Sequence, residues 1–160
     1  ETFLRHVELN QGVKAINLSK GEQVVSMTII KKDEKESQIV TISANGYGKR
    51  NLVDDFRLTS RGAKGVKAGT FNEKTGKLVG LKQVNIEQDL LIIADNGVII
   101  RTPVKDISLI SRNTQGVKIM RLKDGAKVVC LATGEHEEEE NQIESIIEEN
   151  IEQIQQENKD

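Results

Sequence analysis

Arginines that recur at a fixed interval are the residues of this chain whose type and spacing most clearly suggest chemistry. Arg50 and Arg101 lie 51 positions apart, and so do Arg61 and Arg112. A guanidinium group is always charged and donates hydrogen bonds in a planar fork that fits a phosphate. Cations repeated at one interval suit a ligand that also repeats, as the phosphates of a nucleic acid do. The spacing therefore predicts a surface that binds a polyanion.

Groups that could carry catalysis are sparse in this sequence. His6 and His136 lie near opposite ends of the chain, without a partner at the spacing of a catalytic relay or a metal site. Gly46-Tyr47-Gly48-Lys49 resembles a phosphate-binding loop only superficially, because the Ser or Thr that would hold Mg²⁺ and the strand–loop–helix setting are missing. Cys130 lies in an apolar run and is interpreted as a small core residue. We therefore expect no enzyme activity, cofactor or metal from this chain alone.

The basic residues cluster after predicted hairpins and in two connections that contain glycine. Glycine lets a backbone N–H approach a phosphate closely, while neighbouring side chains donate further hydrogen bonds. Aromatic residues make up only 2% of the chain, too few for the row of stacking platforms that single-stranded nucleic acid requires. Duplex DNA, bound by its backbone, is the expected ligand. The candidate contact residues are Lys49, Arg50, Arg57, Arg61, Lys64, Lys67, Arg101, Arg112, Lys118 and Arg121.

The elements that would position these cations follow the same repeat. Asn45-Gly46 and Asn96-Gly97 each separate two runs rich in β-branched residues, the strongest short signal for a hairpin. The tripeptide Gly-Val-Lys begins at positions 12, 65 and 116, and a lysine/glycine turn and an apolar strand follow each copy. A period near 50 residues with about four strands is typical of propeller-like rings, whose units bury their faces against neighbours.

We accordingly predict an all-β fold, a β-pinwheel of four-stranded units that forms part of a ring. The predicted units span residues 1–36, 37–87 and 88–134, and the first is incomplete. The core must be filled by Val, Ile and Leu because aromatic side chains are so few.

The charge is divided unequally along the chain. Residues 1–134 carry 22 basic and 14 acidic side chains, whereas residues 135–160 carry one basic and 11 acidic ones. A segment of this length and charge favours a mostly disordered, solvated tail with transient helix, and a short amphipathic helix, with isoleucines at helical spacing between Ile143 and Ile154, is the alternative. The tail either competes with DNA for the basic body or serves only solubility.

Targeting signals are not recognisable in the sequence. It opens without a basic and apolar leader, and no apolar run approaches the ~18 residues of a membrane span. The single cysteine excludes an internal disulfide, which favours a reducing compartment. We expect a cytoplasmic, nucleoid-associated protein with no membrane partner.

Four segments resemble the C-terminal domain of the DNA gyrase A subunit. They are NGYGKR from Asn45, SRGAKGVKAG from Ser60, NGVIIRTPV from Asn96 and SRNTQGVKIMRL from Ser111, in the family's order. The resemblance covers roughly residues 1–133. It implies a six-bladed β-pinwheel whose basic rim wraps DNA with positive handedness and so supports negative supercoiling by the holoenzyme.

The resemblance also implies partners. These are the rest of the gyrase A subunit, which carries the DNA-cleaving tyrosine, and the gyrase B subunit, which carries the ATPase, so that ATP and Mg²⁺ belong outside this chain. Carried over by motif, the rim role falls on the cations of the two connections.

Two departures from the family pattern keep alternatives open. The Gln/Arg/Gly-rich box of gyrase A subunits is absent, which suggests that the chain begins within the domain, and Glu8 stands where Arg61 and Arg112 align. The related C-terminal domain of the topoisomerase IV A subunit is therefore one alternative. A propeller-like scaffold for protein interactions is the other.

Overall fold

The computed structural model of the chain describes residues 12–30 and 37–136. Within these residues the regular structure is β-strand apart from two 3-10 turns, Val53–Asp55 and Val104–Asp106. This confirms the all-β fold class, and the segment of the alternative helix between Ile143 and Ile154 lies outside the described residues. The strands in chain order are β1 Gln38–Ser43, β2 Tyr47–Leu52, β3 Leu78–Val84, β4 Asp89–Ala94, β5 Ile99–Pro103, β6 Val117–Lys118 and β7 Val128–Gly134.

The strands form two open antiparallel sheets. The first has the order β3-β1-β2-β6 and the second β5-β4-β7. The register between β1 and β3 shifts at Ile42/Ser43, and that between β4 and β7 shifts at Ile93/Ala94, which lie 51 positions further along. Even this irregularity is repeated, so the sequence repeat is also a structural repeat.

Both predicted Asn-Gly hairpins are present. Gly46 N–H donates to the Ser43 carbonyl at 2.9 Å, and Gly97 N–H donates to that of Ala94 at 3.1 Å. Both glycines have φ near +80°, at 78° and 82°. A residue with a Cβ is strained in this region, which explains the glycine at each turn.

A short strand passes from one unit to the sheet of another. Strand β6 follows β5 in sequence, yet it pairs with β2, with Tyr47 opposite Lys118 and Gly48 opposite Val117. Gly116, just before β6, has φ of 82°, and a Cβ there would lie 2.5 Å from the Gly48 carbonyl oxygen. Sheet membership therefore does not follow the unit boundary predicted at residues 87 and 88.

The core is aliphatic, as the composition predicts. Phe56 is half-buried and Phe71 is exposed, so neither is a core residue. The second sheet buries Leu90 and Ile92 completely, and the first buries Val40 and Ile42 in the same cluster. One core thus joins the two sheets. The remaining buried members are Val84, Ala94, Val104, Ile107, Met120 and Val128.

Two expectations for the strands were wrong in detail. Cys130 is exposed, because β7 is the edge strand of the second sheet and only Val128 of its first three residues faces the core. Residues 24–30, where the apolar strand after the first Gly-Val-Lys tripeptide is predicted, form no regular strand. Ser26 Oγ donates to the Leu81 carbonyl at 3.0 Å, and Thr28 Oγ1 accepts from Gln83 N–H at 3.3 Å. The segment therefore lies beside β3, bonded through side chains.

Candidate nucleic-acid interface

The connection of residues 104–116, which carries Arg112, lies along the edge of β2 that faces away from β1. Arg50 N–H donates to the Ser108 carbonyl at 2.9 Å, and Ile110 N–H donates to the Arg50 carbonyl at 3.2 Å. The chain then continues into β6 on the same edge. One unit thereby covers the sheet edge of the unit before it.

The connections that carry Arg61 and Arg112 occupy equivalent places. Asn17 N–H donates to the Ala63 carbonyl at 2.9 Å, and Thr70 N–H donates to the Thr114 carbonyl at 3.0 Å. Ala63 and Thr114 lie 51 positions apart. Because the same contact recurs at both junctions, the recurrence of the arginines in sequence is also a recurrence in space.

Lys49 is buried beneath the second connection. Its ammonium group donates to the carbonyls of Ser111 and Thr114, at 3.0 and 3.1 Å, and also to the carbonyl of Arg112. Burial, and secondly the charge of Arg112, lower the pKa of Lys49, while Asp55 acts in the opposite direction. The residue holds the turn that carries Arg112.

Arg50 is also turned into the protein. Its guanidinium donates to the carbonyls of Ile107 at 2.5 Å and Lys105 at 2.9 Å, and to Gln38 Oε1 at 2.8 Å. The sequence predicts DNA contacts for Lys49 and Arg50, but the structure buries both, with exposed fractions of 2% and 7%. Each side chain is used in joining one unit to the next.

Arg101 occupies the place of Arg50 in the following unit. Its Nε lies 2.7 Å from Asp89 Oδ2, and Asp89 stands 51 positions after Gln38, the partner of Arg50. Arg101 also donates to the Glu135 carbonyl, and His136 Nδ1 lies 2.6 Å from Asp89 Oδ1. Residues just beyond β7 thus contact Arg101 as the next unit contacts Arg50.

The Asp89 carboxylate is nearly inaccessible to solvent. Burial alone would raise its pKa, but hydrogen bonds and charges from Arg101 and His136 outweigh burial, so that the pKa of Asp89 is lowered. The ionised carboxylate therefore stabilises this end of the second sheet.

The remaining predicted residues keep their side chains at the surface to different degrees. Arg112 is half-buried, donates to the Lys67 carbonyl and lies with its guanidinium carbon 5.9 Å from the centre of the Phe56 ring. The Lys118 ammonium lies 4.5 Å from the centre of the Tyr47 ring. Exposed residues of the set are Arg57, Arg61, Lys64, Lys67, Lys118 and Arg121.

Alignment of the repeats missed two lysines at the first hairpin. Lys127 Nζ donates to Asn45 Oδ1 at 2.7 Å, and Lys74 Nζ lies 5.6 Å from the centre of the Tyr47 ring. Neither lies in the connections on which the arginines recur. The only signal in the sequence was the lysine/glycine turn that precedes each final strand.

Of the two histidines, His136 contacts the Asp89 carboxylate and His6 lies outside the described residues. Gly46-Tyr47-Gly48-Lys49 is a hairpin turn and strand, with Lys49 turned inward. Among residues 12–30 and 37–136, no group of three His, Cys, Asp or Glu side chains could hold a metal ion. The same residues contain no helix long and apolar enough to cross a membrane.

Comparison with known proteins places this architecture in a family. The model of the family described as DNA gyrase C-terminal domain, beta-propeller matches residues 10–31, 37–85 and 88–130. The DNA gyrase A subunit of Staphylococcus epidermidis is 41% identical over 128 residues, which are 80% of this chain and 14% of that protein. The chain thus spans about one seventh of the length of this relative.

Two solved structures share the fold. The match to the C-terminal domain of DNA topoisomerase IV covers 87% of this chain and 43% of that structure, with a TM-score of 0.72 and 21% identity. The match to the DNA gyrase A C-terminal domain covers 62% of this chain and 34% of that structure, with a TM-score of 0.59 and 23% identity. The family match over most of the chain, with 41% identity to the staphylococcal subunit, shows that the chain belongs to the DNA gyrase C-terminal domain family.

Proposed function

We propose that the chain binds duplex DNA through its phosphate backbone, with little preference for sequence. The observation that carries this proposal is the pair of equivalent connections with arginine at the same place, Arg61 in one and Arg112 in the other. Exposed Lys64 and Lys67 follow Arg61, and Lys118 follows Arg112. Contacts of this kind fix a protein on a duplex without reading its bases.

The aromatic side chains favour a duplex over a single strand. The Tyr47 ring has Lys118 within 4.5 Å of its centre and is therefore a poor platform for a stacked base. Phe56 lies beside Arg112. Single-strand binding relies on such platforms in series.

Family membership supports a wider role for the chain. We assign the chain to the A subunit of a bacterial DNA gyrase, where it would wrap DNA and support ATP-dependent negative supercoiling. Its partners would be the rest of that polypeptide and the gyrase B subunit, in a cytoplasmic heterotetramer. DNA cleavage, ATP hydrolysis and Mg²⁺ binding would take place in those other parts. The 41% identity to a staphylococcal gyrase A subunit supports gyrase over topoisomerase IV.

Charge-neutral variants test the proposal. The triple variant Arg61→Gln, Lys64→Gln and Lys67→Gln removes three exposed cations from one connection. If each contacts a phosphate, the slope of log affinity against log salt should fall in magnitude by about 2.7, since each contact contributes about 0.9. Fluorescence anisotropy with a 40-base-pair duplex at several salt concentrations measures this slope.

A charge-matched control separates local contact from net charge. The variant Lys20→Gln, Lys82→Gln and Lys123→Gln neutralises three lysines that are exposed or half-exposed elsewhere. Its slope should fall by much less. Equal behaviour of the two variants would reject the proposed surface, and no binding by the unaltered chain would favour a protein-interaction scaffold.

A further inference from the structure

Three lysines from separate parts of the chain converge on the first hairpin, at Asn45 and Tyr47. Lys74 lies in the turn before β3, Lys118 is in β6, and Lys127 directly precedes β7. All three are exposed. We call them the hairpin lysines.

Protein contacts fix where these ammonium groups lie. Lys118 Nζ donates to the Asn45 backbone carbonyl at 3.3 Å, and Lys127 Nζ donates to Asn45 Oδ1 at 2.7 Å. The Asn45 side chain is itself held, because its Nδ2 donates to the carbonyls of Glu73 and Lys74 at 3.0 and 2.9 Å. The ring of Tyr47 attracts the ammonium groups of Lys74 and Lys118 through its electron-rich face.

The positive charge of this group is not neutralised locally by ion pairs. Within residues 12–30 and 37–136, the hairpin lysines form no salt bridge. The Asp95 carboxylate accepts the backbone N–H of Lys127 at 2.9 Å, not its ammonium. Lys118 and Lys127 each use one N–H donor in a hydrogen bond within the protein, and an –NH₃⁺ group carries three donors. Such a group can bind an anion with several acceptor oxygens.

The hairpin lysines adjoin the proposed DNA surface. Tyr47 and Lys49 are two positions apart on β2, so their side chains lie on the same face of the sheet. Lys49 binds the turn that carries Arg112, and Tyr47 lies next to Lys118 and Lys74. The Arg112 turn and the hairpin lysines are therefore attached to neighbouring positions on one face of β2.

We infer that Lys74 and Lys127, with Lys118, form a second contact site for a DNA phosphate at the junction of two units. This inference rests on the proposed duplex-binding function and extends it to residues outside the repeated connections. The site joins Lys74 of one unit to Lys118 and Lys127 of the next. In the following unit Val98 replaces Tyr47, so the site need not recur.

The test compares double variants of the full chain in duplex binding. Lys74→Gln with Lys127→Gln should weaken duplex binding about five- to tenfold per lysine at 0.1 M salt and reduce the salt slope by about 1.8. Lys82→Gln with Lys123→Gln removes the same charge without touching the hairpin and should have a smaller effect. Thermal unfolding of each variant shows whether the hairpin itself is destabilised.

Replacement by arginine decides whether charge or packing is responsible. Lys74→Arg with Lys127→Arg keeps both positive charges and should restore binding to within about twofold. Unchanged affinity in the glutamine pair, or a loss that the arginine pair does not restore, would overturn the inference. If the glutamine pair binds normally while the triple variant at Arg61, Lys64 and Lys67 does not, only the hairpin site is wrong. If both bind normally, the surface formed by the repeated connections is wrong as well, whereas no binding by the unaltered chain would reject the DNA-binding function itself.

Discussion

Lys49 shows how a buried cation can support the proposed DNA surface by holding one of its turns in place. Its ammonium donates hydrogen bonds to three carbonyls in the turn of residues 111–114, and the side chain is almost wholly buried. Arg112 lies within this turn. The position of its guanidinium thus depends on a lysine 63 positions earlier in the chain.

Lys49→Met should destabilise the chain by about 2–3 kcal/mol, because it leaves buried carbonyls without a donor. Urea unfolding measures this loss, and Lys82→Met on β3 is the control, with a cost below about 1 kcal/mol. DNA affinity should also fall, and less so when Arg112→Gln is already present. Fully additive effects of the two substitutions on binding would contradict a role exerted through Arg112.

Asp89 should make the free energy of unfolding depend on pH in the acid range. Its folded pKa lies below the unfolded value of about 3.9. The ionised carboxylate therefore stabilises the fold above that pH, and the contribution is lost as pH falls through the folded pKa. Asp89→Asn should be less stable than the unaltered chain at pH 5.5, with the gap narrowing towards pH 2.5.

Urea unfolding across that pH range measures the gap. Asp54→Asn alters an exposed carboxylate, and its stability curve should run parallel to that of the unaltered chain. A gap for Asp89→Asn that stays constant with pH would contradict the assignment.

Among the secondary-structure elements, the hairpins were predictable and the exchanged strand was not. Asn45-Gly46 encodes its turn locally, because the required φ is available to glycine at little cost. Strand β6 has two residues, and its partner β2 belongs to the preceding unit, so no local pattern marks the pairing. Successive residues such as Lys49 and Arg50 point to opposite faces of a strand. Alignment of the repeats could not reveal that the next unit covers both.

Gly116→Ala tests the strand exchange. The new Cβ would lie 2.5 Å from the Gly48 carbonyl oxygen, and the alanine would also have to adopt a left-handed backbone conformation. Gly125→Ala is a matched control, because its φ is 75° and nothing lies within 4 Å of its Cβ. The free energy of unfolding, measured in urea, should fall by about 1–2 kcal/mol in the control and by clearly more in Gly116→Ala. Equal losses would show that the close approach at Gly48 contributes nothing.

At the scale of the whole molecule, charge is divided between a basic body and an acidic tail. Residues 135–160 carry a net charge of −10, and residues 1–134 carry +8. An acidic segment competes with DNA for the same cations when it can reach them. Composition alone revealed this division, whereas placing the cations required the fold.

Truncation after His136 tests competition by the tail. It removes most of the acidic residues and keeps the contacts of Glu135 and His136 with the second sheet. Duplex affinity at 50 mM salt should rise several-fold, and the gain should shrink at 200 mM because screening weakens the competition. A tail that serves only solubility would leave the affinity unchanged at both salt concentrations.

The central claim is that the body grips the backbone of duplex DNA through several phosphates at once. The affinity of the full chain for a 40-base-pair duplex between 50 and 200 mM salt tests it most directly. Four or more phosphate contacts predict a fall on the order of a hundredfold over this range. An affinity that changes by less than about twofold would contradict backbone binding.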